Sequence, residues 1–180
     1  MKNGVDPSGN SDCTSGLQKL LDQAAAEGGG IVFLPPGTYR FNGNLNIPSG
    51  VELKGAIDNS TTPVGGGSII QVYNGKGDEN GTPFITMQKN SGLRGVTINY
   101  PEQKSSLLPD NILKYPYTVQ VQGEDVYIVN IAIRAAYRGF DLFTYKCDNH
   151  YIDYISGHSF NTGIRVGGGS ENGKICNLQY

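Results

Sequence analysis

Residues 139–142 read Gly-Phe-Asp-Leu, and residues 163–166 read Gly-Ile-Arg-Val. Each stretch is a glycine followed by two apolar residues around a variable one, and the two stretches begin 24 positions apart. Working outward from them, the same apolar-x-apolar pattern occurs at residues 85–87 and 119–121. A period of two is typical of β-strands that bury one side.

A second series consists of apolar pairs whose members are three positions apart. The pairs are Leu93 and Val96, Ile128 and Ile131, Ile152 and Ile155, and Ile175 and Leu178. They start 35, 24 and 23 positions apart, and the long first interval holds a proline-bearing stretch, residues 101–116, which we interpret as an inserted loop. Two interleaved series with a shared period predict a solenoid in which each repeat is one coil.

The solenoid predicts stacked rows of buried apolar side chains. The predicted core residues are Ile85, Met87, Leu93, Val96, Val119, Val121, Ile128, Ile131, Phe140, Leu142, Ile152, Ile155, Ile164 and Val166. In each apolar-x-apolar strand the central residue must point the opposite way from its neighbours. Thr86, Gln120, Asp141 and Arg165 should therefore line one outer surface in successive coils.

The start of the chain predicts one amphipathic helix. Apolar residues at positions 17, 20, 21, 24 and 25 form a single stripe. Asp12 is a candidate N-cap, and the three glycines at 28–30 end the helix, since glycine adopts positive φ without steric cost. We expect Leu17, Leu20 and Leu21 to cover the first coil.

Residues 4–55 resemble the opening of the pectate-lyase-like superfamily. The matching stretches are Gly4-Val5-Asp6-Pro7, the helix up to Ala26, the segment Gly28 to Tyr39 with its Leu-Pro-Pro-Gly-Thr-Tyr turn, and Val51-Glu52-Leu53-Lys54-Gly55. The resemblance implies an all-β fold, a right-handed parallel β-helix (solenoid) with an N-terminal capping α-helix. We expect one domain over residues 1–180, with the cap at 1–30 and the coils at 31–180. We expect it to be the N-terminal part of a longer β-helix.

Composition excludes several other classes. Lys and Arg total 14 against 16 Asp and Glu, a net charge of −2 without a basic run, which argues against a nucleic-acid binder. No stretch approaches the ~20 apolar residues of a membrane span, and the opening residues 1–4 do not form a signal peptide. Three cysteines without a C-x-x-C spacing argue against a disulfide framework or a metal site.

The resemblance implies work on polysaccharides, because the superfamily includes pectate lyases, polygalacturonases, related glycoside hydrolases, epimerases and phage tailspikes. We therefore expect part of a glycoside hydrolase or polysaccharide lyase that acts on an extracellular polysaccharide, in a secreted or cell-surface protein. The alternative is a non-catalytic β-helix that binds glycans or forms a stem, as in tailspikes or adhesins. A fold alone does not choose between them.

The candidate catalytic residues follow no complete pattern. Polygalacturonases resemble this chain, but the positions before Gly139 and Gly163, which hold their carboxylates, are Ala-Tyr-Arg and Asn-Thr here. The remaining candidates are Asp141, Asp153 and His158. We expect no cofactor, except Ca²⁺ if the protein is a lyase, since lyases pair a base with calcium held by clustered Asp residues.

The outer surface of the apolar-x-apolar strands is the expected carbohydrate groove in this superfamily. The candidate sugar contacts there are Tyr137, Arg138, Asp141, Asn161 and Arg165. The alternative is a solvated ladder in which Asp141 and Arg165 pair across neighbouring strands. Because residues 175–180 would leave a strand edge open, we also predict self-association through that end.

Overall fold

The structure, a computed structural model, describes residues 4–57, 67–104 and 111–179. Within those ranges it has one helix and thirteen strands. The elements are β1 (Ser8–Asp12), α1 (Thr14–Ala26), β2 (Gly30–Phe33), β3 (Gly37–Phe41), β4 (Leu45–Ile47), β5 (Val51–Lys54), β6 (Ser68–Val72), β7 (Ile85–Met87), β8 (Gly92–Arg94), β9 (Val96–Asn99), β10 (Tyr117–Val121), β11 (Tyr127–Leu142), β12 (Tyr151–Val166) and β13 (Lys174–Gln179).

The strands pair in parallel and wind into coils with three faces. The first face stacks β2, β5, β8 and the starts of β11, β12 and β13. The second face stacks β1, β3, β6, β9, the middles of β11 and β12 and the end of β13. The third face stacks β4, β7, β10 and the ends of β11 and β12. The predicted parallel β-helix is confirmed.

From β8 onward, the chain turns from the first face to the second at a single residue with left-handed backbone. These corner residues are Gly95, Asn130, Tyr154 and Asn177, with φ between 49° and 71°. Gly and Asn adopt this conformation at the least cost. The two members of each apolar pair therefore lie on different faces, as Leu93 in β8 and Val96 in β9 show. The prediction of two strand series was incomplete, because the second series marks a corner between two faces.

Burial confirms twelve of the fourteen predicted core residues. The two exceptions are Ile164, which is only half-buried, and Val166, which is 45 % exposed. Both lie at the end of β12 on the third face, and no strand among the described residues stacks beyond them there. Without a further coil, this end of the row stays open to water, so the prediction for Val166 was wrong.

Helix α1 covers the N-terminal end of the coils, as predicted. Leu17 and Leu21 are fully buried and Leu20 is half-buried, and the helix packs on β2, β4 and β5. Asp12 is not the N-cap, a position that Cys13 occupies. The Asp12 carboxylate instead accepts hydrogen bonds from Thr14 N at 3.0 Å and Thr14 Oγ1 at 2.6 Å. These bonds connect the residue before the N-cap to the first residue of the helix.

The predicted insertion at residues 101–116 lies between β9 and β10. Its two described ends are joined by the side-chain amide of Gln103, which donates to Leu113 O and accepts from Leu113 N, both at 2.8 Å. Residues 105–110 of the insertion and Tyr180 of the predicted last strand lie outside the described residues.

Candidate functional site

The outward side of the third face carries a ladder of polar residues. Asn46, Thr86, Gln120, Asp141 and Arg165 pair in register from β4 to β12. Each is the centre of an apolar-x-apolar strand whose flanking residues point into the core. The predicted row is confirmed, and Asn46 extends it by one coil.

Side-chain amides connect this ladder from coil to coil. Gln88 Nε2 donates to Asn46 Oδ1 at 2.9 Å and to Gln122 Oε1 at 3.1 Å. Gln122 Nε2 donates to Gln120 Oε1 at 3.0 Å, and Gln120 Nε2 donates to Asp141 Oδ2 at 2.9 Å. We call these four amide side chains, of Asn46, Gln88, Gln120 and Gln122, the amide chain. A side-chain amide has two N–H donors and an oxygen with two lone pairs. These bonds therefore orient each amide without using all of its hydrogen-bonding positions.

A groove of about 520 Å³ lies beside the amide chain, where the third face turns into the first. Its lining residues come from four successive coils: Asn46, Pro48, Ser49, Gln88, Lys89, Gln122, Gly123, Glu124, Lys146 and Asp148. The volume falls within the range of ordinary small-molecule sites. We call this cavity the corner groove.

The corner groove exists because the turns at this corner differ in length. The turn after β10 runs from 122 to 126, whereas the turn after β11 runs from 143 to 150. The longer turn supplies Lys146 and Asp148, which form a wall beside the amides of the earlier coils. Backbone hydrogen bonds hold the turns together, as from Asp125 N to Asp148 O at 2.9 Å.

Charges in the corner groove are balanced. It is lined by two ammonium groups, of Lys89 and Lys146, and two carboxylates, of Glu124 and Asp148. Lys146 Nζ lies 2.8 Å from Asp148 Oδ2. This contact raises the pKa of Lys146 and lowers the pKa of Asp148, so both groups stay ionised near neutral pH.

Asp141, a candidate for both catalysis and sugar contact, is 1 % exposed. Its Oδ1 accepts hydrogen bonds from Phe143 N and Thr144 N, and its Oδ2 accepts from Thr144 Oγ1 at 2.6 Å and from Gln120 Nε2. Burial alone would raise the pKa of Asp141, but the hydrogen bonds outweigh it and the pKa is lowered. This carboxylate is therefore buried and ionised, and it holds the start of the long turn.

Asp153 is buried on the first face, away from the amide chain. Its carboxylate accepts hydrogen bonds from Tyr151 OH at 2.6 Å, Asn177 Nδ2 at 2.7 Å and Cys176 Sγ at 3.1 Å. The bond from Tyr151 is the largest cause of the lowered pKa of Asp153, and it raises the pKa of Tyr151 to about 12. This acid holds three coil residues together and is not positioned to act with Asp141.

His158 is exposed and lies on β12 between the second and third faces. Its ring packs edge-on against Phe160, with ring centroids 5.4 Å apart. Asp141 is on the third face and Asp153 on the first. The structure therefore does not bring the three candidate catalytic residues together.

Three of the candidate sugar contacts do cluster on the third face. Arg138 Nε lies 3.3 Å from Asn161 Oδ1, and its guanidinium lies 5.7 Å from the Tyr137 ring centroid. Arg138 also donates to Glu79 O at 2.8 Å and lies 3.6 Å from the Glu79 carboxylate. Lys114 and then Tyr137, through hydrogen bonds, lower the pKa of Glu79. Arg138 therefore anchors the 73–84 segment as well as facing solvent.

Arg165 is the exposed last member of the ladder. It lies directly opposite Asp141 on the neighbouring strand, which is the arrangement that a cross-strand pair needs. Its guanidinium instead lies over the Phe143 ring, 3.8 Å from the centroid, while the Asp141 oxygens bond to other groups. The Asp141–Arg165 pair of the alternative is therefore not formed, and Arg165 makes a cation–π contact with Phe143 in its place.

Sequence reasoning missed most of the corner groove. Gln88 and Gln122 each directly follow an apolar-x-apolar strand, at Met87 and Val121. That shared offset was the available signal, because residues at the same offset from paired strands must lie side by side. Lys146 carried no such signal, since it lies in the middle of a long turn.

The sequence profile of the rhamnogalacturonase A/epimerase, pectate lyase-like family matches residues 1–99, more than half of the chain. The chain belongs to this family. The membership confirms the predicted resemblance to the pectate-lyase-like superfamily and places the chain among carbohydrate-active proteins. No curated protein matches the sequence.

Solved structures share the fold of this family member at low sequence identity. A candidate glycosyl hydrolase from Parabacteroides merdae matches with a TM-score of 0.61 at 18% identity, over 98% of this chain and 78% of that one. The A-modules of two mannuronan C-5 epimerases from Azotobacter vinelandii match with TM-scores of 0.66 and 0.52, at 23% and 18% identity. These matches cover 95% and 98% of this chain but only 48% and 55% of the modules. At such identities the likeness shows the fold alone.

Within the part of the chain that the structure describes, no helix has the length and apolar character of a membrane span. In residues 4–57, 67–104 and 111–179, no three His, Cys, Asp or Glu side chains are grouped to hold a metal ion. Binding of Ca²⁺, which we expect if the protein is a lyase, therefore stays a prediction, and we propose no site for it.

Proposed function

We propose that this protein takes part in the breakdown of an extracellular polysaccharide, as part of a glycoside hydrolase or polysaccharide lyase. In this proposal the third face and the corner groove hold the glycan. The observation that carries it is the amide chain, which presents oriented polar groups along three successive coils and is bonded to Asp141 of the fourth. Family membership supports the carbohydrate chemistry.

The spacing of the coils suits an extended polymer. Strands of successive coils lie ~4.8 Å apart, so polar groups repeat along the third face at a regular short interval. A glycan that crosses the coils would meet a new side-chain amide in each of the three coils that contain β4, β7 and β10. Phe143 and Tyr145, 41% and 46% exposed in the long turn, offer aromatic surface beside that path. Sugar rings with an apolar side pack well on such surface.

The chemical step stays unassigned. Hydrolysis of a glycosidic bond needs two carboxyl groups, one to protonate the leaving oxygen and one to activate water or attack. Asp141 and Asp153 do not fit these roles, because both are buried and hold structural hydrogen bonds. Glu124 and Asp148 line the corner groove, and they are the carboxylates that a glycan bound there would meet.

A second candidate function is glycan binding without catalysis. The engagement of Asp141 and Asp153 favours it, because a stem or binding module needs oriented polar groups but no reactive pair. Both candidates use the same surface and differ only in whether the bound glycan is cleaved.

A panel of polysaccharides with product analysis separates the two candidates. New reducing ends without an ultraviolet-absorbing product indicate hydrolysis, and an unsaturated product that absorbs ultraviolet light indicates a lyase. Turnover that Glu124→Gln abolishes would place the chemistry in the corner groove. Saturable binding without turnover would establish the second candidate. The absence of both binding and turnover on the whole panel would overturn the proposed function.

A further inference from the structure

We infer that the corner groove selects a neutral glycan rather than a polyuronate. This inference rests on the proposed function and adds the substrate class. It favours the hydrolase or the binding protein over the lyase, because a lyase takes a proton beside a uronate carboxylate. A polyuronate carries one carboxylate per sugar, so a groove that selects it needs an excess of positive charge. The corner groove has no such excess, since Lys89 and Lys146 are matched by Glu124 and Asp148.

Three of the cations near the glycan path, on Lys146, Arg138 and Arg165, are already committed to protein groups, whereas Lys89 forms no ion pair within the described residues. Lys146 lies 2.8 Å from Asp148. Arg138 contacts the carbonyl and the carboxylate of Glu79, and the Arg165 guanidinium lies over the Phe143 ring. A uronate that approached these side chains would have to compete with the contacts that hold them. Its carboxylate would also meet repulsion from Glu124 and Asp148.

The uncharged part of the groove fits hydroxyl groups. A sugar hydroxyl both donates and accepts a hydrogen bond, and a side-chain amide does the same. Gln88 uses both of its N–H groups on Asn46 and Gln122, so its oxygen is left to accept from a ligand, while Gln122 keeps one N–H donor and one acceptor position. These positions are oriented before a ligand arrives. Preorganised neutral groups gain affinity for hydroxyls without favouring an acid.

The experiment measures binding to an array of neutral and uronate-containing polysaccharides. Every acidic binder is compared with its carboxyl-reduced form, which keeps linkage and length but loses the charge. We expect neutral glycans to bind, a reduced polyuronate to bind at least as tightly as its acid form, and the affinity to change less than about twofold between low and high salt. Binding that is restricted to acid forms and weakens about tenfold or more in high salt would overturn this inference while leaving the proposed function intact.

Variants locate the binding and separate the remaining outcomes. The double variant Gln88→Ala/Gln122→Ala should lose about tenfold or more in affinity for the neutral glycan, since each lost hydrogen bond costs roughly threefold to tenfold. Lys19→Gln, on the exposed side of α1, is the control. Unchanged binding by a folded double variant would overturn the inference, because the site would lie elsewhere. No binding to any member of the array would overturn the proposed function together with it.

Discussion

Gln120 donates from Nε2 to Asp141 Oδ2 at 2.9 Å, which joins the side chains of two successive coils on the third face. The same carboxylate accepts two backbone N–H groups and the Thr144 hydroxyl at the start of the long turn. The amide chain and the wall of the corner groove therefore share one buried anion. A change at Asp141 should disturb both.

The first prediction concerns the charge on Asp141. Hydrogen bonds to the ionised form lower its pKa below the ordinary value of about 3.9. Its contribution to stability is therefore fully present above that value and is lost as the pH falls through the folded-state pKa. Asp141→Asn should lower the free energy of unfolding by about 1.5–3 kcal/mol near neutral pH, and by progressively less below about pH 4.

Urea unfolding at several pH values measures this difference. Asp22→Asn, an exposed site on α1, is the control for losing one negative charge. If the gap between wild type and Asp141→Asn stays constant down to about pH 3, the ionised carboxylate does not supply the stability.

The second prediction concerns the core. Phe140 is fully buried at the end of β11, so Phe140→Ala should cost roughly 3–5 kcal/mol through lost burial and a residual cavity. Val166→Ala on β12 is the matched control, since Val166 is 45% exposed and should cost about 0.5 kcal/mol or less. Chemical denaturation of both variants gives the comparison. Equal costs would mean that the assigned register on the third face is wrong.

The third prediction concerns the cap. Leu21 is fully buried between α1 and the first coils, so Leu21→Asp should abolish soluble folding. Leu20→Asp should be milder, because Leu20 is only half-buried. Soluble yield and melting temperature measure both, with Lys19→Asp as an exposed control on the same helix. An unchanged melting temperature for Leu21→Asp would show that the helical cap does not stabilise the fold.

The repeat could be predicted from the sequence because it appears as a regular spacing of apolar residues. Spacings of 24 and 23 positions correspond to observed partners, as Ile128 with Ile152 and Ile152 with Ile175. Alternating burial in a short strand follows from geometry alone. The second face was missed because its strands begin only one residue beyond a left-handed corner, so their apolar residues merged with those of the first face.

The site was less predictable because it depends on turns. The exposure of Asp141 is decided by Phe143 and Thr144, whose backbone folds back onto the carboxylate. A strand pattern does not contain that turn. Lys146 reaches the groove only because the same turn is long, whereas Gln88 and Gln122 could have been found from their register.

The fourth prediction concerns one amide. Gln122 accepts from Gln88 and donates to Gln120, and it lines the corner groove. Gln122→Ala should weaken glycan binding about threefold to tenfold with little loss of stability. Gln71→Ala, the same change on the second face, is the matched control. Equal affinities for the two variants by calorimetry would argue against the amide chain as the binding surface.

The location of the bound glycan tests the central claim most directly. A chain of 180 residues allows the side-chain amide signals of Asn46, Gln88 and Gln122 to be followed by NMR while a bound glycan is added. We predict that these signals and the backbone signals of residues 143–148 shift, while those of α1 and β6 do not. Shifts confined to the first or second face, with the amide signals unmoved at saturation, would contradict a glycan site on the third face.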